Sequence, residues 1–155
     1  MSMRIFGLQQ AQDAIKKELA KLGGGKVATV GIHEDAGAVP DGSMSMAKLG
    51  AIQHFGNDRI PARRWLDVGV ESGTSEYLAI IQEGIEAGLT EGQILEQVGA
   101  VAQGVTQEFI RDLKDPPNAP STVKKKGSDN PLVDTSGLMQ SVTYKIARQM
   151  PEEGI

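Results

Sequence analysis

The sequence predicts an α+β fold: a small, mostly antiparallel β-sheet packed by an N-terminal helix and a pair of longer central helices, with long loops. Three observations carry that prediction. Apolar residues recur every three or four positions over 8–22, 75–89 and 90–113, the period of a helix buried along one face. Two short β-branched stretches, 26–32 and 142–148, have strand character. Gly and Pro clusters punctuate the segments between them. The 155 residues suit one domain, so 1–155 is read as a single unit.

The first helix places Leu8, Ala11, Ile15, Leu19 and Leu22 on one face and ends at Gly23-Gly24-Gly25, since glycine accepts a left-handed C-cap. Lys26 to Ile32 follows as a strand. Gly37, Pro40 and Gly42 make 33–43 a flexible loop. Ser45 is a candidate N-cap for a short helix through Phe55, with Gly56 as its stop. Pro61 disfavours helix at Ile60, so the segment leading to Trp65 enters extended. The first central helix runs from about Ser75 to Leu89, or begins near Trp65 with a break at Ser72-Gly73. The second opens with a capping box, Thr90 and Gln93, and carries the stripe Ile94, Leu95, Val98, Val101, Ala102, Val105, Phe109 and Leu113. Its small residues Gly99, Ala100, Ala102 and Gly104 predict a close approach by a neighbouring element. Pro116 and Pro117 stop it.

Residues 115–137 form a long loop, of a length that usually signals function or ordering on a partner. Leu138 to Ser141 make one helical turn. Val142, Tyr144 and Ile146 alternate with Thr143, Lys145 and Ala147 as a half-buried strand. The sheet has room for one or two further strands that the pattern does not place. The tail over 150–155 is expected to be loose.

Composition excludes several classes. Hydrophobic residues are 39% and aromatics 4%, against 19 glycines, which predicts a lean core that oligomer contacts could supplement. No run approaches the roughly 18 apolar residues of a membrane span. The N-terminus leads into a polar helix, so no signal peptide is expected. Without Cys there is no disulfide, thiolate catalysis or Cys-ligated zinc.

The net charge of -4 is unevenly spread. Residues 1–65 are net +3, 66–115 are net -8, and 116–155 are net +1. The middle block is either a solvated helix face or a surface that faces something negative without adhering. Lys124, Lys125 and Lys126 are a basic run in the long loop; they are either solvated or meet phosphates or an acidic subunit surface. Arg63, Arg64 and Trp65 pose a similar choice. Trp65 is either the main core aromatic, with solvated arginines beside it, or part of an interface anchor, since Trp and Arg are enriched at binding hot spots.

Catalytic patterns fail on their own chemistry. Gly23-Gly24-Gly25-Lys26 lacks the following Ser or Thr and precedes a strand, where a phosphate loop follows one. Ser-x-x-Lys occurs at Ser45/Lys48 and Ser121/Lys124 without the companion motifs of acylating enzymes. His33 beside Glu34 and Asp35 matches no metal spacing and reads as a solvated loop. No enzyme activity and no cofactor are expected.

Three segments together resemble a known family. The first is Lys48-Leu49-Gly50-Ala51-Ile52-Gln53-His54-Phe55-Gly56 followed by Ile60-Pro61-Ala62-Arg63-Arg64-Trp65-Leu66. The second is Pro116-Pro117-Asn118-Ala119-Pro120-Ser121-Thr122 with Lys126-Gly127-Ser128. The third is Pro131-Leu132-Val133-Asp134-Thr135-Ser136-Gly137-Leu138-Met139-Gln140-Ser141-Val142. In this order, over roughly 27–148, they are similar to the tail-completion or neck proteins of tailed bacteriophages, the head–tail joining and virion morphogenesis group. The chain departs from that pattern at His54, where a Glu is common, at Arg64-Trp65, where Pro-Phe is usual, and at the inserted Ser136.

The resemblance implies a non-enzymatic virion part, made in the host cytoplasm, that assembles with itself as a ring, often a hexamer. The ring would complete the tail or join it to the head, beside neck, tail-terminator or tail-tube proteins and near passing DNA. It implies no membrane contact. The alternatives are a tail terminator and a small phage DNA-binding module using Lys124–Lys126. Ile60, Pro61, Pro116, Pro117, Asp134, Thr135, Gly137, Leu138 and Ser141 are expected to be structural. The Asp134 carboxylate or the Thr135 hydroxyl would cap the turn at Gly137–Ser141.

Overall fold

A computed structural model describes residues 25–114, 137–148 and 155, together with Asp13, Lys16, Lys17 and Ala20. Those last four are helical and exposed, and the rest of the helix expected over 8–22 lies outside the described residues. The fold is α+β, as expected. Strand β1 (Val27–Gly31) is followed by a 3-10 turn (Glu34–Ala36) and helix α1 (Met46–Phe55). Then come α2 (Trp65–Glu71), α3 (Thr74–Glu86), α4 (Glu91–Asp112), α5 (Gly137–Ser141) and strand β2 (Thr143–Ala147).

The helix boundaries follow local chemistry. The Ser45 hydroxyl accepts the Lys48 amide 3.1 Å away, and Gly56 closes α1 at φ +73. Thr90 and Gln93 form the reciprocal capping box at the head of α4, at 2.9 and 3.2 Å. The break at Ser72-Gly73 is real. There the Tyr77 ring lies on Gly73 and its hydroxyl donates to the Val70 carbonyl at 2.8 Å, so the interruption between α2 and α3 is bridged from within. Burial pushes the Tyr77 phenol up to about 12. The α3–α4 hairpin turns through Gly88 at φ +73, with the Leu89 amide donating back to the Gly84 carbonyl at 2.9 Å.

Among the described residues the sheet has two antiparallel strands, with Val27 opposite Ala147 and Gly31 opposite Thr143. Of the further strands allowed for by the sequence, the described residues show one isolated bridge, Ala38 with Ser45. That bridge and the 3-10 turn give a frame to a stretch expected to be a flexible loop.

Helix α4 lies across both strands and also carries α2 and α3. Gly99 makes this possible. A Cβ there would fall 2.4 Å from Cδ2 of Tyr144, so the ring of β2 rests on bare helix backbone. The Tyr144 hydroxyl then donates to Glu96 at 2.7 Å. Two glutamines of α4 bond the outer edge at the start of β2: Gln103 accepts the Tyr144 amide at 3.1 Å, and Gln107 donates to the Val142 carbonyl at 3.1 Å.

The opposite edge, on β1, differs. Ile32 exchanges backbone hydrogen bonds with Ile155 there, so by strand alternation Ala28 and Val30 face the same way. Neither has a backbone partner on that edge among the described residues. Of the expected loose tail only Ile155 is described, and it is held by this pairing.

The core gathers Ile32, Met46, Trp65, Leu66, Ile110, Leu138 and Val142 between α1, α2, α4 and α5. No described helix is long and apolar enough to cross a membrane.

Candidate functional site

The first of the three resemblance-bearing segments folds as one unit at the junction of α1 and α2. Gly56 must be glycine there. Its φ is +73, and a Cβ would sit 2.6 Å from the Ala62 nitrogen and 2.7 Å from the Ile60 carbonyl. The chain then reverses around Asn57, whose amide donates to the Ile60 carbonyl at 2.8 Å. Its side-chain oxygen accepts the amides of Arg59 and Ile60, both at 2.9 Å. Ile60 is half-buried and Pro61 exposed on the returning strand of this loop.

The loop rejoins α1 through Arg63. Its amide donates to the Gln53 carbonyl at 2.9 Å, and Nη1 donates to Gln53 Oε1 at 3.0 Å. Burial draws the guanidinium below the ordinary arginine value. Trp65 is fully buried. Its indole N–H donates to the Gly50 carbonyl at 3.1 Å, and Gly50 leaves space for the ring. Of the three residues weighed as an interface anchor, two are therefore enclosed by the chain itself. Of the two readings weighed, Trp65 is the core aromatic, Arg63 is enclosed rather than solvated, and Arg64, whose side chain is 58% exposed, is the member able to face a partner.

Arg64 closes a buried polar cluster. Its Nε donates to Asp67 Oδ2 at 2.6 Å, and Nη2 reaches the same oxygen. The Asp67 side chain is 2% exposed, and its Oδ1 accepts the Val68 amide at 2.8 Å. His54 lies beneath. Its Nδ1 accepts the Leu66 amide at 3.4 Å, and its Nε2 is 4.0 Å from Asp67 Oδ1. The ring meets Phe55 and Trp65 edge-on, with centroids at 4.7 and 6.0 Å. Burial holds the imidazole below 6.5; Asp67 opposes that fall and Arg64 adds to it. Phe55, at the rim, is the exposed large hydrophobic residue among those described, at 53%.

A second histidine cluster lies on the far face of the sheet. His33, expected to be a solvated loop residue, is buried. Its Nε2 is 2.9 Å from Thr29 Oγ1 and its Nδ1 is 2.8 Å from Thr143 Oγ1, so the ring ties β1 to β2. Burial lowers its pKa, Lys145 lowers it further, and Asp35 opposes. Lys145 and Asp35 pair at 2.7 Å across the mouth of this cluster.

Both imidazoles are therefore enclosed and engaged in holding chain segments together. Among the described residues no group of three or more His, Cys, Asp or Glu could hold a metal ion.

Of the residues expected to be structural, Leu138 is in the core, and Ser141 Oγ donates to the Gly137 carbonyl at 2.7 Å within α5. Pro116, Pro117, Lys124, Lys125, Lys126, Asp134 and Thr135 lie outside the described residues. The acidic block is visible on α3. Its outward positions carry Glu76, Glu83 and Glu86, and the helix has no basic residue. Compared with family models, with curated proteins and with solved structures, the chain gives no match.

Proposed function

We propose that this chain is a structural subunit of a tailed-bacteriophage virion. It forms a ring at the neck or tail end that completes the tail or joins it to the head. The observation that carries the reading is the ordered set of three sequence segments, of which the first folds as a self-contained pin. Gly56 and Asn57 turn the chain, Arg63 ties it to Gln53, and Trp65 anchors it in the core. That use of the residues suits a part whose role is to hold shape. The polarity of the chain suits repeated subunit contacts. The outer face of α3 is acidic, and a basic run at Lys124–Lys126 on one copy could meet it on the next, giving a head-to-tail contact that closes into a ring. On this reading the protein has no catalytic centre and needs no cofactor.

The test is particle mass by native mass spectrometry, with negative-stain imaging, over a concentration and salt series. A closed ring that loosens at high salt is expected. A monomer at every concentration refutes self-assembly. Duplex DNA binding that falls steeply with salt, without a ring, favours the DNA-binding module instead.

A further inference from the structure

We propose that His54 is a proton-operated clasp holding the first turn of α2 to the C-terminal end of α1. The first amides of any helix lack partners within it, and Arg64 gives α2 no side-chain cap. His54 supplies one from outside, because its Nδ1 accepts the Leu66 amide at 3.4 Å. An accepting ring nitrogen carries no proton, so the imidazole is neutral with its hydrogen on Nε2, the nitrogen 4.0 Å from Asp67 Oδ1.

Protonation reverses this arrangement. Nδ1 becomes a donor facing the Leu66 donor, and that amide loses its partner. At the same time the ring gains a full charge beside the Asp67 carboxylate, which holds the Val68 amide on the same oxygen. Loss of the Leu66 bond frees that amide, while attraction to Asp67, itself in the first turn of α2, keeps the ring beside the helix, so the clasp changes partner from the Leu66 amide to the Asp67 carboxylate.

The charged groups acting on the ring are Asp67, which favours its protonation, and Arg64, which opposes it. Its aromatic neighbours Phe55 and Trp65 carry no charge. Among the described residues the other elements packed on α1 add no further charge at the ring: α5 has no ionisable residue, and Glu34 and Asp35 of the 3-10 turn are exposed. The loop between the two helices stays tied by Arg63 to Gln53 and by Trp65 to Gly50, so what protonation frees is the first turn of α2 at Leu66.

The protein carries its own reporter, because Trp65 is its single tryptophan and lies 6.0 Å from the His54 ring. Protonated imidazole quenches a neighbouring indole. The experiment follows Trp65 emission and the amide exchange rate of Leu66 in the full chain from about pH 8 to about pH 5. Far-UV circular dichroism monitors the fold throughout.

The expected result is a loss of emission with a midpoint below 6.5, accompanied by faster Leu66 exchange, while helix content holds. His54→Asn, which keeps an accepting oxygen without a titrating proton, should abolish both changes, and His33→Asn should leave them. Quenching without faster Leu66 exchange overturns the clasp. So does a titration that survives in His54→Asn, or an emission change seen only when the whole fold is lost. If His54→Asn does not fold, the paired emission and exchange measurement on the unaltered chain still decides.

Discussion

Gly99 and Gly104 lie five residues apart on α4, yet the same substitution should act on them in opposite directions. A methyl group at Gly99 would sit 2.4 Å from Cδ2 and 2.9 Å from Cγ of Tyr144. The ring cannot swing away cheaply, because its hydroxyl is tied to Glu96 and its backbone amide to Gln103. Forcing a group into such a packed contact costs about 1–3 kcal/mol. Replacing a helical glycine by alanine returns about 0.5–1 kcal/mol. Gly99→Ala should therefore destabilise the protein by about 1 kcal/mol net at mid-range, and by at most about 2.5 kcal/mol. Gly104 faces open space, with nothing within 4 Å of an added methyl, so Gly104→Ala should keep the helix gain alone. The assay is urea unfolding followed by circular dichroism, comparing midpoints at unchanged slope. The midpoint should fall for Gly99→Ala and rise for Gly104→Ala. In heating, each kcal/mol corresponds to roughly 2–4 °C for a chain of this size. Shifts of the same sign in the two variants would refute the proposed packing of Tyr144 on the helix backbone.

Two further outcomes follow from the polar clusters. Arg64→Ala leaves the enclosed Asp67 carboxylate without its cation. Breaking a fully buried pair costs roughly 3–5 kcal/mol, but the guanidinium is largely exposed and screened by water, so about 1–2 kcal/mol is expected in urea unfolding. Adding Asp67→Asn should recover part of that loss. The two histidines set an acid limb. Both have folded-state values below 6.5, so as pH falls through 6.5 the unfolded chain takes up protons first, and stability present above that value is lost toward the lower folded values. The urea midpoint should be lower at pH 5.5 than at 7.5, and His33→Asn combined with His54→Asn should flatten the difference.

Much of the fold was legible because its signals are local. Ser45 with Gly56, Thr90 with Gln93, and the Ser72-Gly73 break each announce a helix end within a few residues. The stripe on α4 was legible in outline, but its buried line runs through Leu95, Gly99, Ala102, Thr106 and Ile110. An apolar pattern passes over Thr106, which is fully buried because its hydroxyl donates to the Ala102 carbonyl one turn earlier, at 2.7 Å. The histidine clusters had no local signal. His33 is fixed by Thr143, 110 positions away in sequence, and only strand pairing brings the two together. His54 was visible merely as a departure from the resembled pattern. Its role depends on the reversal at Gly56, which returns Leu66 and Asp67 to the end of α1. Arg63 misled for a related reason, since a guanidinium is rarely buried and its tie to Gln53 exists only once that reversal is made.

The two glutamine bonds beside β2 bear on how copies of this protein could aggregate. An endless cross-strand ladder needs two open edges per molecule, one to receive and one to extend. Here Gln103 and Gln107 already hold the Tyr144 amide and the Val142 carbonyl on one of them, which makes it the poorer template. Two copies that met through their β1 edges would leave only these partly occupied β2 edges to extend the ladder. Growth past them would first require the Gln103 and Gln107 side chains to give up the Tyr144 amide and the Val142 carbonyl.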